Sequence, residues 1–238
     1  MLFNFKYSPK KTSILPVARF IVGRWKLLFF IYISTVFTLY IQLGERGFLV
    51  AALLFFLVTV LFANNIILSM EAHRDKLTGL GNKNALFLRL RREIARIDRN
   101  GGYLTFLFFD IDNFKSINDT CGHKVGDNVL VEVAHRLMDE MRNYDSLIRY
   151  GGDEFCVICP QVKNEGDSIK IRDKLEESLN FEYRSEKHNL LIQTSLGMST
   201  YPLDTTDLHE LISIADQRMY EQKKQRKLAR VTHALVNE

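Results

Sequence analysis

Two uncharged runs, Leu27–Leu43 and Phe48–Leu68, constrain this chain more than any other feature. A helix that crosses a bilayer needs about 20 predominantly apolar residues, within a range of about 17–25. Both runs reach that length, the first near the short end. Only Gly44-Glu45-Arg46-Gly47 separates them, and the two glycines suit a tight helical hairpin. A buried hairpin inside a soluble protein is the alternative, but uncharged runs of this length are scarce in soluble helices. A cleaved signal peptide fits poorly, because the first run starts late and the second follows with no obvious cleavage site. Lys6, Lys10, Lys11, Arg19, Arg24 and Lys26 precede the first run, and Arg74 and Lys76 follow the second. Positive flanks stay on the inner side of a membrane, so both ends of the hairpin are expected in the cytoplasm. The basic N-terminus can also meet anionic lipid.

Beyond residue 68 the composition turns charged and mixed. A net charge of +4 over 238 residues leaves room for one sizeable domain with appendages and points to no nucleic-acid partner. The three cysteines, Cys121, Cys156 and Cys159, are an odd number and give no disulfide framework. That agrees with a reducing compartment. Cys156 and Cys159 are three apart on an expected strand, so they point to opposite faces and cannot easily share a metal. No second C-x-x-C is present to complete a zinc site.

Periodicity predicts alternating helix and strand. Helices are expected over Asn82–Asp98, Gly126–Met141, Ser168–Leu179 and Leu208–Arg226. Strands are expected over Leu104–Phe109, Ser146–Tyr150, Phe155–Cys159 and Leu190–Tyr201. The order implies an α/β sandwich with helices packed on a central sheet. The expected organisation is a basic segment 1–26, a membrane hairpin 27–68, a linker 69–74, a catalytic domain 75–230 and a tail 231–238.

Two acidic sites stand out. Gly151-Gly152 joins two short apolar runs, a sequence that favours a two-residue hairpin turn, with Asp153 and Glu154 at its tip. The buried run Leu104–Phe109 leads straight into Asp110, followed by Asp112, Lys115, Asn118, Asp119, His123 and Asp127. Carboxylates at a strand exit and on a hairpin make a cradle for two divalent cations. Oxygen ligands suit Mg²⁺, which also takes substrate phosphates. Two such ions about 3.5–4 Å apart clamp the attacking and leaving oxygens of a phosphoryl transfer. A solvated hairpin tip, and an Asp112 that caps the following turn, are the plainer readings.

In order along the chain, "DKLTGLGN" at 75–82, "DIDNFKSINDTCGHKVGDNVL" at 110–130, "GGDEF" at 151–155, "TSLGMSTYP" at 194–202 and "ADQRMY" at 215–220 resemble the motifs of the GGDEF family, the diguanylate cyclases. The resemblance covers residues 73–230. It implies a fold similar to the palm of polymerases and nucleotide cyclases, and condensation of two GTP to cyclic di-GMP with loss of two pyrophosphates. One domain holds one GTP, so a homodimer is implied. Together with the two uncharged runs and their basic flanks, the resemblance gives an expected place in the bacterial inner membrane, with the N-terminus and catalytic domain in the cytoplasm. Carried onto this sequence, Asp110, the carbonyl of Ile111 and Asp153 would bind two Mg²⁺ per site. Asp153 or Glu154 would take the 3′-hydroxyl proton, and Lys115 would face the phosphates. Asn118 and Asp127 would read guanine, with His123 near base or ribose, and Lys223 would reach the triphosphate. Arg142 and Asp145 form an R-x-x-D where the family has an inhibitory product site, and Arg172 is a candidate to complete it.

The chain departs from the pattern at Lys83, where arginine is usual, and at Cys121, where an aromatic is common. Gln222 replaces a small residue, and Arg226-Lys227 stands for Gly-Arg. A lysine keeps charge but loses the bidentate fork. The alternatives to a membrane-anchored cyclase are a catalytically inactive cyclic di-GMP receptor using Arg142 and Asp145, and a membrane scaffold whose domain only dimerises or binds GTP.

Overall fold

The computed structural model describes the backbone of residues 15–236. The chain divides into two compact units, residues 1–72 and 73–238.

The first unit contains α1 (Leu15–Glu71), which breaks at Gly44, where φ is 61° and ψ is −147°. An unbroken helix would hold Tyr32 and Phe55 about 34 Å apart. Their rings instead stack with centroids 3.9 Å apart, so the chain reverses at Gly44 and the two arms pack. Only glycine takes this backbone readily, and Ala51 is buried where the arms meet. Phe30, Phe37, Leu49, Leu53 and Phe56 stay exposed on the outside of the hairpin. Among the described residues no helix is long and apolar enough to cross a membrane. Several side chains of the two runs (27–29, 36, 39, 43, 48 and 65–68) lie outside the described residues, as do those of the basic segment 1–26. The helix continues beyond the second run to Glu71, in keeping with a helical linker.

The second unit runs α2 (Lys83–Asn100), β1 (Tyr103–Ile111), α3 (Phe114–Cys121), α4 (His123–Glu140), β2 (Ser146–Gly151), β3 (Glu154–Val162), α5 (Glu165–Ser178), β4 (Phe181–Arg184), β5 (Asn189–Ile192), β6 (Thr194–Tyr201) and α6 (Leu208–Val236). The main sheet has the order β2-β3-β1-β6, and each neighbouring pair is antiparallel. β1 is central and almost wholly buried, which explains its unbroken apolar sequence. Its residues alternate between two cores. Leu107, Phe109 and Ile111 join Val129, Val133 and Leu175 beneath α4 and α5. Leu104, Phe106 and Phe108 join Leu86, Leu90 and Leu211 beneath α2 and α6. Cys159 lies in the first core and Cys156 in the second, as expected of residues three apart on a strand.

Three expectations are corrected. The helix predicted from Gly126 starts at His123, and a separate short helix, α3, precedes it. The polar sequence of α3 buries only Phe114, too little for an apolar period to register. The single strand predicted over Leu190–Tyr201 divides at Gln193. There the Gln193 carbonyl turns to accept from Asp112 N at 2.8 Å, and Asn180 Oδ1 accepts from Thr194 N at 3.1 Å. β5 then pairs with β4 in a separate ribbon, and β4 had no alternating pattern long enough to read. The third correction concerns the acidic hairpin.

Candidate active site

The hairpin turn is made by Gly152 and Asp153, one residue later than Gly151-Gly152. Gly151 still pairs with Glu154, across a register shift after Arg149, and neither glycine has positive φ. Arg149 explains the offset. Its Nε and Nη2 donate to the Gly152 carbonyl at 3.0 and 2.7 Å, and its Nη1 donates to Asp75 Oδ1 at 3.1 Å. The turn is thereby tied to the loop that enters the domain.

That loop is itself built around Asp75. Thr78 donates to Asp75 Oδ1 from its amide at 2.8 Å and its hydroxyl at 2.6 Å. Burial opposes the Asp75 charge, but hydrogen bonds from Thr78 and Arg149 outweigh it and hold the carboxyl below its ordinary range. Gly81 then brings the loop onto the outer edge of β2, donating to the Leu147 carbonyl at 3.0 Å and accepting from Arg149 N at 2.8 Å. A Cβ on Gly81 would meet Ile148 Cδ1 at 2.5 Å, so no larger residue fits there unshifted. Sequence reading missed Asp75 and Arg149 as supports of the acidic tip. The acid opening the entry motif and the arginine two places before the glycines were the available signals.

The structure brings the two acidic sites together. Asp110 sits across from Glu154 in the β1–β3 register, and Ile111 N donates to the Asp153 carbonyl at 3.3 Å. Asp110 is buried, with 7% of its surface exposed. Burial is the main force raising its carboxyl to about 6. The Lys223 hydrogen bond resists this, and the negative charges of Asp153 and Glu154 add to it. Burial and the nearby Asp153 and Asp216 also raise Glu154. Lys223 Nζ donates to Asp110 Oδ1 at 2.6 Å, so α6 delivers a cation to this edge. Among the described residues no three His, Cys, Asp or Glu side chains form a ready metal cluster. Two carboxylates and a backbone carbonyl nonetheless fit Mg²⁺, which keeps waters and substrate oxygens in its remaining positions.

The cap residue of α3 is Asn113, in the left-handed region with φ 57°. Asp112 is buried and accepts from Ser195 Oγ at 2.7 Å. Lys115 is exposed on the first turn of α3, and His123 is exposed at the start of α4. Asn118 lies against Gly126, where a Cβ would meet Asn118 Oδ1 at 1.9 Å. The missing side chain therefore sets Asn118 beside the turn of α4 that carries the exposed Asp127.

Arg142 and Asp145 lie at the other end of β2, a strand that spans about 17 Å from Ser146 to Gly151. Asp145 Oδ2 accepts from Arg142 N at 2.8 Å, while the Arg142 side chain donates to Tyr144 Oη at 2.7 Å. The pair is joined through backbone, and the guanidinium rests toward the Tyr144 ring at 5.7 Å. Burial pushes the Asp145 carboxyl up to about 6. Arg172, the candidate third member, pairs with its neighbour Asp173 at 2.6 Å.

Residues 72–228 match the family described as "Diguanylate cyclase, GGDEF domain". The chain is similar to the bifunctional diguanylate cyclase/cyclic di-GMP phosphodiesterase MucR of Pseudomonas aeruginosa, with 36% identity over 68% of this chain and 24% of that protein. It is similar to the diguanylate cyclase TpbB of the same organism, with 35% identity over 68% of this chain and 37% of that one. Thus it spans well under half the length of these relatives. Among solved structures it resembles a sensory box/GGDEF family protein from Caulobacter crescentus, with 34% identity and a TM-score of 0.61, covering 64% of this chain and 99% of that one.

Proposed function

Because this chain belongs to the GGDEF family of diguanylate cyclases, matching it over residues 72–228, we propose that it condenses two GTP into cyclic di-GMP with release of two pyrophosphates. The observation that carries this reading is the juxtaposition of the β1 exit with the hairpin tip, Asp110 opposite Glu154 and Ile111 bonded to Asp153. Asp110, Asp153 and the Ile111 carbonyl would hold Mg²⁺. When bound, the ions would offset charge on the phosphates and acidify the attacking hydroxyl.

The remaining work falls to side chains. Asp153 or Glu154 accepts the 3′-hydroxyl proton, and burial raises the Glu154 carboxyl above its ordinary value, which strengthens it as a base. Lys115 and Lys223 neutralise phosphate charge as it develops. Asp127 accepts from the guanine N1–H and 2-amino group, a donor pair adenine lacks, with Asn118 beside it and His123 near the base or ribose. Each domain supplies one such site, so a homodimer places two nucleotides face to face. Arg142 and Asp145 serve as a product-binding site that inhibits turnover.

The helical hairpin of the first unit anchors the protein in the bacterial cytoplasmic membrane, with its N-terminus and catalytic domain on the cytoplasmic side. Support comes from the two uncharged runs and from the outward apolar side chains, with Phe30 75% and Leu53 69% exposed. Incubation of the purified full-length chain with GTP and Mg²⁺, followed by identification of the product, tests the activity. Cyclic di-GMP is the expected product. Asp153→Ala is expected to abolish it while leaving the thermal midpoint within about 2 °C, because the residue sits half-exposed in a turn, outside the core. Turnover like that of the wild type in this variant overturns the assignment.

A further inference from the structure

Gln222 and Arg226, two positions at which α6 departs from the pattern it resembles, converge on one acceptor. Glu176 Oε1, on α5, accepts from Gln222 Nε2 at 2.9 Å and from Arg226 Nη2 at 2.6 Å. Gln222 also turns its carbonyl oxygen to Leu196 N at 2.5 Å, and Arg226 Nη1 donates to the Thr194 carbonyl at 2.5 Å. The same guanidinium lies 3.7 Å from Asp112 Oδ2, a carboxylate with only 4% of its side chain exposed. Two α6 side chains therefore bolt that helix to α5 and to the first residues of β6.

The position of this knot gives it consequences. Lys223 lies between Gln222 and Arg226 in sequence and alone of the three meets Asp110. Asp112 is two residues past Asp110, just beyond the end of β1. Residues three apart on a helix share a face, so Arg226 is within a side chain's reach of Asp110, the acid that Lys223 already touches. An arginine released there has five donors and a permanent charge. It would compete with a divalent cation for the carboxylates. Its charged restraint is Glu176, which holds Nη2 while the Thr194 carbonyl holds Nη1.

We propose that Glu176 is a positioning residue for the acidic site, holding the Arg226 guanidinium on Asp112 and away from Asp110 and Asp153. The inference rests on the metal-binding reading of those two acids. Glu176 touches neither substrate nor metal in this account. It acts through Arg226, with Gln222 as its second tether.

The test uses Mn²⁺ as a spectroscopic stand-in for Mg²⁺ and full-length protein with 3′-deoxy-GTP, which lacks the attacking hydroxyl. Free Mn²⁺ is followed by electron paramagnetic resonance. Glu176→Ala is expected to raise the half-saturating Mn²⁺ concentration roughly tenfold, the scale of one charge-assisted hydrogen bond redirected onto the ligands. Glu176→Gln still offers an oxygen to both donors and is expected to stay within about twofold. Adding Arg226→Ala to Glu176→Ala is expected to restore binding to within about threefold, since the competing cation is gone. Thermal midpoints of all variants are measured alongside. Equal weakening in the Ala and Gln variants would reduce Glu176 to a distant negative charge and overturn the proposal. So would a double variant as weak as Glu176→Ala, or no shift in Glu176→Ala. If the wild type binds Mn²⁺ and shows these shifts but makes no cyclic di-GMP, the cyclase reading fails and the role of Glu176 stands.

Discussion

Replacing Arg149 with methionine separates the support of the acidic tip from the tip itself. The side chain is 14% exposed and its partner Asp75 is 23% exposed, so water screens the pair only in part. The substitution keeps the aliphatic stem but removes two bonds to the Gly152 carbonyl and two to Asp75, at 3.0, 2.7, 3.1 and 3.3 Å. Removing one partner of a fully buried pair costs about 3–5 kcal/mol, and an exposed pair is worth about 0–1 kcal/mol. Partial exposure and the remaining Thr78 bonds place this case between them, at about 2 kcal/mol. For a domain of this size that is a fall of roughly 4–8 °C in thermal midpoint. The rate of product formation is expected to fall further than the folded fraction, by about tenfold or more at 20 °C, because Asp153 loses the anchor of its turn. Arg149→Lys is expected to recover less than half of the lost stability, since an ammonium cannot span both Asp75 and Gly152 as the fork does. Differential scanning calorimetry and initial rates measure both effects. A midpoint within 1–2 °C of the wild type with an unchanged rate would refute the argument that Arg149 holds the tip.

Asp127→Ala is expected to weaken GTP binding by about 1–3 kcal/mol, or roughly 5- to 150-fold, with little change for ATP; equal losses in a competition titration would remove Asp127 from base recognition. The lowered carboxyl of Asp75 binds fewer protons folded than unfolded, so its stabilisation is fully present above its ordinary value of 3.8 and is lost as pH falls through the folded value. Urea unfolding at pH 5 and pH 3 is therefore expected to show a gap between wild type and Asp75→Asn that narrows at the lower pH, and a constant gap would contradict this. Gly197→Ala is expected to cost about 3 kcal/mol or more, because the added carbon would meet the Ala215 carbonyl oxygen at 1.9 Å and Met219 N at 2.4 Å; a thermal midpoint like that of the wild type would mean that α6 sits farther from β6.

What the sequence determined by itself was whatever depends on neighbours along the chain. The apolar run before Asp110 marked a buried central strand, because only a strand covered on both faces can be apolar throughout. Cys156 and Cys159 went to opposite cores because strand side chains alternate every residue. Gly44 marked the break between two helices, since its backbone conformation is one that other residues avoid. The ordered motifs identified the family. The tertiary structure decided what depends on contacts between distant segments. The acidic turn falls at Gly152-Asp153 because Arg149 grips the Gly152 carbonyl while bonded to Asp75, 74 residues earlier. The last strand breaks at Gln193 because Asp112 and Asn180 draw its backbone groups out of the ladder. Gln222 and Arg226 looked like scattered departures in a helix. They act together only because Glu176, some 50 residues away, lies under both. No local pattern encodes such a meeting: period and propensity act over a few residues, whereas hydrogen bonds between distant segments exist only once the sheet has formed and side chains of α5 and α6, from its opposite faces, meet at its β6 edge.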